Sequence, residues 1–443
     1  MHDTQRLFLW AAASTIVFGL LATPASAASK ENILYSFCSL SNCADGSVPA
    51  GGLTFDASGH LYAMTYYGGD GCPNDEPGCG TAYELTPGAN GSWTETVLYN
   101  FCEDAKQCIY QHGNLTLDAS GNLYGTAFWG GASACAPEGV GCGVVFQLKR
   151  GTNGRYQQKI LHNFQPNGKD GIYPSDTLLI DAAGNLYGTT SEGGTGSCSD
   201  GYENGCGTVF ELTPSPNGEW TEKVLYSFSG TDGYHPNGSL VFDTAGNLYG
   251  TTQIGGSGRW GVAFELTSKD GKQWEENILH DFKGTTDGGE PQAGLTVGAD
   301  GSFYGTTVYG GAYGPGTVFR LTRNNKGDWA ERVLHSFQGN GKDGSNPWAG
   351  VAVSKAGNLY GTTAYGGTDD RGTVFELTAG TDGKWGEKVL HSFQNNGEDG
   401  TEPTAGVVLD AEENLYGTTG FGGPYPDCYG GGLGCGIVFE IIP

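Results

Sequence analysis

Residues 184–190 read Gly-Asn-Leu-Tyr-Gly-Thr-Thr, and variants of this phrase place a central tyrosine at Tyr62, Tyr124, Tyr187, Tyr249, Tyr304, Tyr360 and Tyr416. Successive tyrosines stand 62, 63, 62, 55, 56 and 56 residues apart, so the chain is a tandem array. Around Tyr187 four runs rich in aromatic and β-branched residues follow one another: Thr177 to Asp181, Asn185 to Thr190, Thr208 to Thr213 and Trp220 to Phe228. Asp-Ala-Ala-Gly, Gly-Gly and Pro-Asn-Gly turn chemistry separates them. Four antiparallel strands per unit, named a to d here, make a propeller blade.

The fourth run recurs as Ile33 to Phe37, Val97 to Phe101, Ile160 to Phe164, Val224 to Phe228, Ile278 to Phe282, Val333 to Phe337 and Val389 to Phe393. The first of these has no a, b or c run before it, and the last unit ends after its c run, Ile437 to Ile441. The expected fold is therefore an all-β, seven-bladed propeller of four-stranded blades, with the N-terminal strand completing the last blade. Residues 28–443 form this one domain, because each blade buries itself against its neighbours rather than in one large core.

Residues 1–27 carry Arg6, an apolar run from Leu7 to Leu21 and a small-residue Ala25-Ser26-Ala27 site, the pattern of a secretory signal peptide. A secreted protein, periplasmic or extracellular, is expected, with no later membrane span and no C-terminal anchor. The twelve cysteines fall into close pairs: Cys38/Cys43, Cys72/Cys79, Cys102/Cys108, Cys135/Cys142, Cys198/Cys206 and Cys428/Cys435. No Cys-x-x-Cys spacing favours zinc, so six local disulfides are expected, each contributing roughly 2 kcal/mol by the chain-entropy argument. A formal net charge of −26 makes nucleic acid an unsuitable partner and serves solubility; a monomer is expected.

The a-to-b and c-to-d turns keep nearly constant lengths, whereas the b-to-c loops swell in blades 1, 2, 3 and 7, each time around a cysteine pair. The other two pairs lie in d-to-a loops, which emerge on the same face, so function is expected on that upper face. The Leu-Tyr-Gly-Thr-Thr, Gly-Thr-Val-Phe-Glu-Leu and Val-Leu-His-Ser-Phe phrases resemble the GloVer tandem repeats of secreted or surface-anchored bacterial proteins. The resemblance covers essentially all of the exported chain. It implies export and, in many members, a sorting anchor, which is not expected in this chain; it implies no activity.

Repeats act as internal replicates: a slot filled alike in every blade is scaffold, and a variable slot is free for function. The strand-d slots Trp93, Tyr156, Trp220, Trp274, Trp329 and Trp385, and Tyr35, Tyr99, His162, Tyr226, His280, His335 and His391, read as scaffold. An aspartate recurs in each d-to-a loop: Asp45, Asp104, Asp170, Asp232, Asp287, Asp343 and Asp399. A ring of cation sites would use them, with calcium the natural ion. Ordinary Asp-Gly turn chemistry explains them better, and no Asp-x-Asp-x-Asp-Gly loop is present.

The slot entering strand a varies freely (Ala50, His112, Ser175, Asn237, Gln292, Trp348, Thr404), and these side chains should rim the central channel. Beside them, the residue before the Gly-Gly of strand b is Tyr67, Trp129, Glu192, Ile254, Tyr309, Tyr365 or Phe421. Catalytic signatures such as Gly-x-Ser-x-Gly, His-Glu-x-x-His and the P-loop are missing, and Gly256–Gly261 fits a dinucleotide fingerprint only inside a hairpin loop. Three functions are consistent with this pattern. The first is a non-enzymatic module binding carbohydrate or cell-envelope glycan through Tyr67, Trp129, Tyr309, Trp348 and Tyr365, with Asn237 and Gln292 bonding hydroxyls. The second is a propeller hydrolase or lactonase using His112, Asn114, Asp176 and Glu192, as an acid/base pair or around calcium. The third is a protein–protein scaffold.

Overall fold

The computed structural model describes residues 29–49, 51–70, 78–101, 109–135, 141–198, 204–268, 271, 273–425, 428 and 432–443, with only the backbone of 109–112. Seven four-stranded antiparallel sheets form a ring of blades. In blade 3 the order from the inside outward is Gly171–Ile180, Leu186–Gly193, Thr208–Pro214 and Trp220–Ser227. Blade 7 consists of Val408–Leu409, Leu415–Thr419, Ile437–Ile442 and the N-terminal strand Lys30–Ser36. There Lys30 lies opposite Ile442 and Ser36 opposite Ile437, so the first strand closes the ring. Among the described residues no helix is long and apolar enough to cross a membrane.

The repeated phrase is explained position by position. Strand b is sandwiched on both faces, so Leu-Tyr-Gly-Thr-Thr is buried throughout rather than alternating. Gly188 lies opposite Phe210 of strand c, and a Cβ there would come 2.6 Å from the Phe210 ring and 2.9 Å from Leu178. The tyrosine hydroxyl donates to the glutamate of strand c, as in Tyr187–Glu211 at 2.9 Å and Tyr416–Glu440 at 2.7 Å. Where the glutamate is replaced the partner changes with it: Gln147 Nε2 donates to the Tyr124 hydroxyl, and Arg320 lies over the Tyr304 ring. The first threonine staples its blade to the next, donating to a carbonyl in the segment that leads into strand a: Thr251 to Ala293 at 2.7 Å, Thr306 to Ala349 at 2.8 Å, Thr418 to Gly51 at 3.0 Å. Turns between strands a and b are held as their composition implies, with Asp181 Oδ1 accepting from the amides of Ala183 and Asn185.

Aromatic pairs fill every joint between blades. The phenylalanine ending strand d meets a ring of the next blade's strand c edge-on: Phe37–Tyr83, Phe101–Phe146, Phe164–Phe210, Phe228–Phe264, Phe282–Phe319, Phe337–Phe375 and Phe393–Phe439. Such a pair contributes about 0.5–1.5 kcal/mol beyond its buried area. The strand-d tryptophans reach back to the repeat tyrosine of the preceding blade, as Trp93 does to Tyr416 and Trp220 to Tyr124. Both slots are scaffold, in agreement with their constancy.

One boundary differs from the sequence expectation. Strand a of blade 3 begins at Gly171 rather than near Thr177, and strand a of blade 2 spans Ile109–Leu117. In these blades the segment entering strand a pairs with the end of strand b, Ile172 opposite Glu192 and Ile109 opposite Trp129, and the ladder continues through a register shift. Elsewhere the same pairing survives as a separate short ladder, as between Ser345 and Tyr365.

Four of the expected disulfides are formed: Cys38–Cys43, Cys135–Cys142, Cys198–Cys206 and Cys428–Cys435. Cys72, Cys102 and Cys108 lie outside the described residues, and with them the pairings of Cys79 and of Cys102 with Cys108; so do Ala50, Asp104 and the side chain of His112.

Candidate functional site

The innermost strands converge so closely that glycine is required where they touch. A Cβ on Gly113, whose φ is +75°, would lie 2.2 Å from the backbone of Asp176. Beside these contacts the channel holds a cavity of about 470 Å³. Its wall includes Ser175, Asn237, Gln292, Trp348 and Thr404, the variable slot entering strand a. Trp348 is 40% exposed, which leaves a ring face open to a ligand. Tyr66 and Phe128 complete the aromatic part of the wall.

Those two aromatics were not singled out in the sequence; their neighbours Tyr67 and Trp129 were. Side chains alternate along strand b, so the residue beside the Gly-Gly slot turns into the channel and the slot itself turns to the loops. Tyr67, Trp129, Glu192, Tyr309 and Tyr365 do not line the cavity. Each occupies the backbone-paired position at the end of strand b, as in Ser47 opposite Tyr67 and Gly289 opposite Tyr309. Tyr67 packs edge-on against Tyr66, and Trp129 against Phe128, which stacks on Tyr173 at 4.9 Å. Tyr309 and Tyr365 stand on the rim, 44% and 38% exposed. The period-two alternation of a strand was the signal that could have separated wall from rim.

Among the described residues Asp176 is the one charged side chain in the cavity wall. Its Oδ1 accepts from the amide and the hydroxyl of Thr177, at 2.7 and 2.9 Å, and its Oδ2 from the amide of Ser239 in blade 4 at 2.7 Å. Burial pushes its pKa up, against the lowering effect of these donors. Asn114 accepts from the amide of Gly52 in blade 1 at 2.6 Å, and its own amide donates to the Thr177 hydroxyl at 3.0 Å. The departures from the repeat at this corner thus form a hydrogen-bonded chain across the inner strands of blades 1 to 4. Glu192 lies apart, pushed up by burial and accepting from Asn204.

The recurring aspartates and the His/Tyr slot of strand d are one device. Tyr35 donates to Asp45 at 2.7 Å and Tyr226 to Asp232 at 2.7 Å; His162, His280, His335 and His391 meet Asp170, Asp287, Asp343 and Asp399 through Nε2 at 3.1–3.2 Å. Amides of Gln165, Gln338 and Gln394 donate to the same carboxylates. Tyrosine and histidine do the same work here, which is a packing and hydrogen-bonding role. A glutamate of the next blade's strand d approaches each pair: Glu95, Glu222, Glu276, Glu331, Glu387 and Glu31, each with one buried oxygen lacking a hydrogen-bond partner. Burial, chiefly, raises these six from 4.5 to about 7 or 8. Blade 2 has the neutral Gln158 in that place, receiving the Tyr99 hydroxyl at 3.3 Å.

A larger groove of about 700 Å³ lies at the outer edge, between Lys30–Ile33 and the c-to-d turn of blade 1. It gathers no variable slot, so the channel mouth is the better candidate.

Ring, closure and mouth together define a seven-bladed propeller. Within that class the chain belongs to the Gloeobacter/Verrucomicrobia repeat family, whose model matches residues 195–425. No curated protein matches it. Among solved structures it is similar to an extracellular domain assigned to a one-component system of B. thetaiotaomicron, at 13% identity and a TM-score of 0.50, over 93% of this chain and 41% of that one. A protein of unknown function from Dyadobacter fermentans (11% identity, TM-score 0.42) is covered over 98% of its length, with 82% of this chain. A luciferin-regenerating enzyme (13%, 0.43) is covered over 94%, with 77% of this chain.

Proposed function

We propose that this protein is an exported, non-catalytic binding module that takes carbohydrate of the cell envelope or its surroundings at the mouth of its channel. The observation that carries the reading is the composition of the 470 Å³ wall: Trp348 shares it with Asn237, Gln292, Ser175 and Thr404, and Asp176, the single carboxylate among its described residues, is engaged by three protein donors. A sugar offers a C–H face to a flat ring and hydroxyls to neutral amides and alcohols, and a concave mouth of this size suits a few sugar units. The exposed Tyr309 and Tyr365 extend the apolar surface from the mouth over blades 5 and 6, where the b-to-c loops are short and carry no cysteine. One stacked ring contributes on the order of 1 kcal/mol, so useful affinity needs several contacts or a polymeric ligand.

Export follows in this reading from a leader at residues 1–27 and from the disulfides, which belong to an oxidising compartment. The mature protein is expected to begin at Ala28, to be a monomer and to bind without a cofactor. Affinity electrophoresis of wild type and Trp348→Ala through gels containing soluble polysaccharides tests the reading. Retention lost in the variant supports it, and equal mobility in every gel sinks it. Retention abolished by a chelator would instead make calcium part of the site, and turnover that disappears in Asp176→Asn would establish the hydrolase.

A further inference from the structure

The ring has one seam that the chain itself does not cross. The strand Lys30–Ser36 is held to Ile437–Ile442 by a hydrogen-bonded ladder and by Asn32 donating to Glu440 at 2.7 Å, and nothing covalent joins the two ends of the ring there. Two disulfides sit at the upper end of that ladder. Cys38–Cys43 follows the N-terminal strand, and Cys428–Cys435 precedes the strand it pairs with. Each closes a loop within its own segment, so neither ties one end to the other. Yet Cys38 Sγ lies 3.2 Å from Cys428 Sγ, and all four sulfurs lie within 4.8 Å of one another. Cys428 and Cys435 are buried in the apolar cluster that also holds Phe37 and Tyr83, the aromatic joint between blades 7 and 1. Among the described residues neither Cys135–Cys142 nor Cys198–Cys206 has a second disulfide against it.

We infer that these four cysteines form an exchangeable lock on the ring, in which Cys38 pairs with Cys428 and Cys43 with Cys435. The exchange needs no net oxidation. A small-molecule thiolate attacks Cys43, forming a mixed disulfide and releasing the Cys38 thiolate. Cys38 attacks Cys428 in the neighbouring disulfide, forming the first seam bond and releasing the Cys435 thiolate. Cys435 then attacks the mixed disulfide at Cys43, forming the second bond and returning the thiolate that began the cycle. The product replaces a loop of five residues' separation by one of 390. A cross-link over so long a loop restricts the unfolded chain far more than a local one, and it stops the closing strand from peeling off a sheet edge. The inference is independent of what the channel binds.

The double variant Cys43→Ser/Cys435→Ser leaves Cys38 and Cys428 as the only cysteines of the quartet. After purification in air, acid quenching and peptic digestion without reduction, a peptide pair linked through Cys38 and Cys428 is expected, with neither residue alkylated. The same linked pair is expected from wild type held in a glutathione redox buffer, and the cross-seam form should unfold at higher denaturant concentration than the starting protein. A natively folded double variant with both thiols freely alkylatable overturns the inference. Should the variant fail to fold, wild type decides: the inference falls if glutathione labels Cys43 as a mixed disulfide and no Cys38–Cys428 link forms.

Discussion

Replacing Glu276 by glutamine should stabilise the protein in alkali and leave it nearly unchanged in acid. Glu276 is partly buried in the joint between blades 3 and 4, where loss of water, with the nearby Asp232 carboxylate adding to it, raises its pKa from 4.5 to about 8. One of its oxygens is buried without a partner. Below the ordinary carboxyl value the folded and unfolded chains both hold this proton, and the group has no influence on stability. Between that value and about 8 only the folded chain holds it, so folding takes up a proton and stability falls as pH rises. Above 8 both states are ionised and the full cost remains. At face value the gap from 4.5 to about 8 corresponds to nearly 5 kcal/mol; water reaching the partly exposed carboxyl reduces that to about 1–2 kcal/mol. Glutamine mimics the protonated form, and Gln158 already holds the equivalent place in blade 2. Guanidinium unfolding of wild type and Glu276→Gln at pH 5 and pH 9 measures the difference directly. A variant whose advantage is the same at both pH values would refute the reasoning, since a packing effect does not titrate. Wild-type stability should itself decline over this window, because five other joints carry a glutamate raised in the same way.

Trp348→Ala and Trp129→Ala should separate wall from loop support: the first weakens retention on polysaccharide several-fold with little change in stability, while the second leaves retention intact. Loss of retention with Trp129→Ala alone would move the binding surface from the cavity to the loops. Phe37→Ala should cost about 3–5 kcal/mol, as much as Phe282→Ala at an interior joint, because both rings are fully buried against the next blade. A much smaller cost for Phe37, measured by chemical denaturation, would mean that the closing strand contributes little to the ring.

Blade number, strand order and closure were legible because they rest on features counted seven times in one sequence. A repeated Leu-Tyr-Gly-Thr-Thr allows few explanations, and the structure supplies one for nearly every position: tyrosine to the strand-c glutamate, glycine under phenylalanine, threonine to the next blade's carbonyl. The local disulfides were legible for a related reason, since five to eight residues of separation leave a cysteine few places to go. What escaped the sequence is contact between separate segments, most of all between different blades. The aspartate loop and the His/Tyr slot were each recognised as constant, but their pairing, and the glutamate that faces them from the next blade, needed three segments placed side by side.

The same limit explains the corner of blades 2 and 3. Asn114, Asp176 and Glu192 attract notice because they break the repeat, and a break reads equally well as chemistry or as a local repair. In the structure Asp176 and Asn114 bond across four inner strands. A carboxylate that accepts three short hydrogen bonds from its own fold is poorly placed to give or take a proton. On the binding reading proposed above, Trp348 and Gln292 of the cavity wall, with Asn237, whose Nδ2 already donates to Gln253 at 2.8 Å, are the variable-slot residues that would meet a ligand.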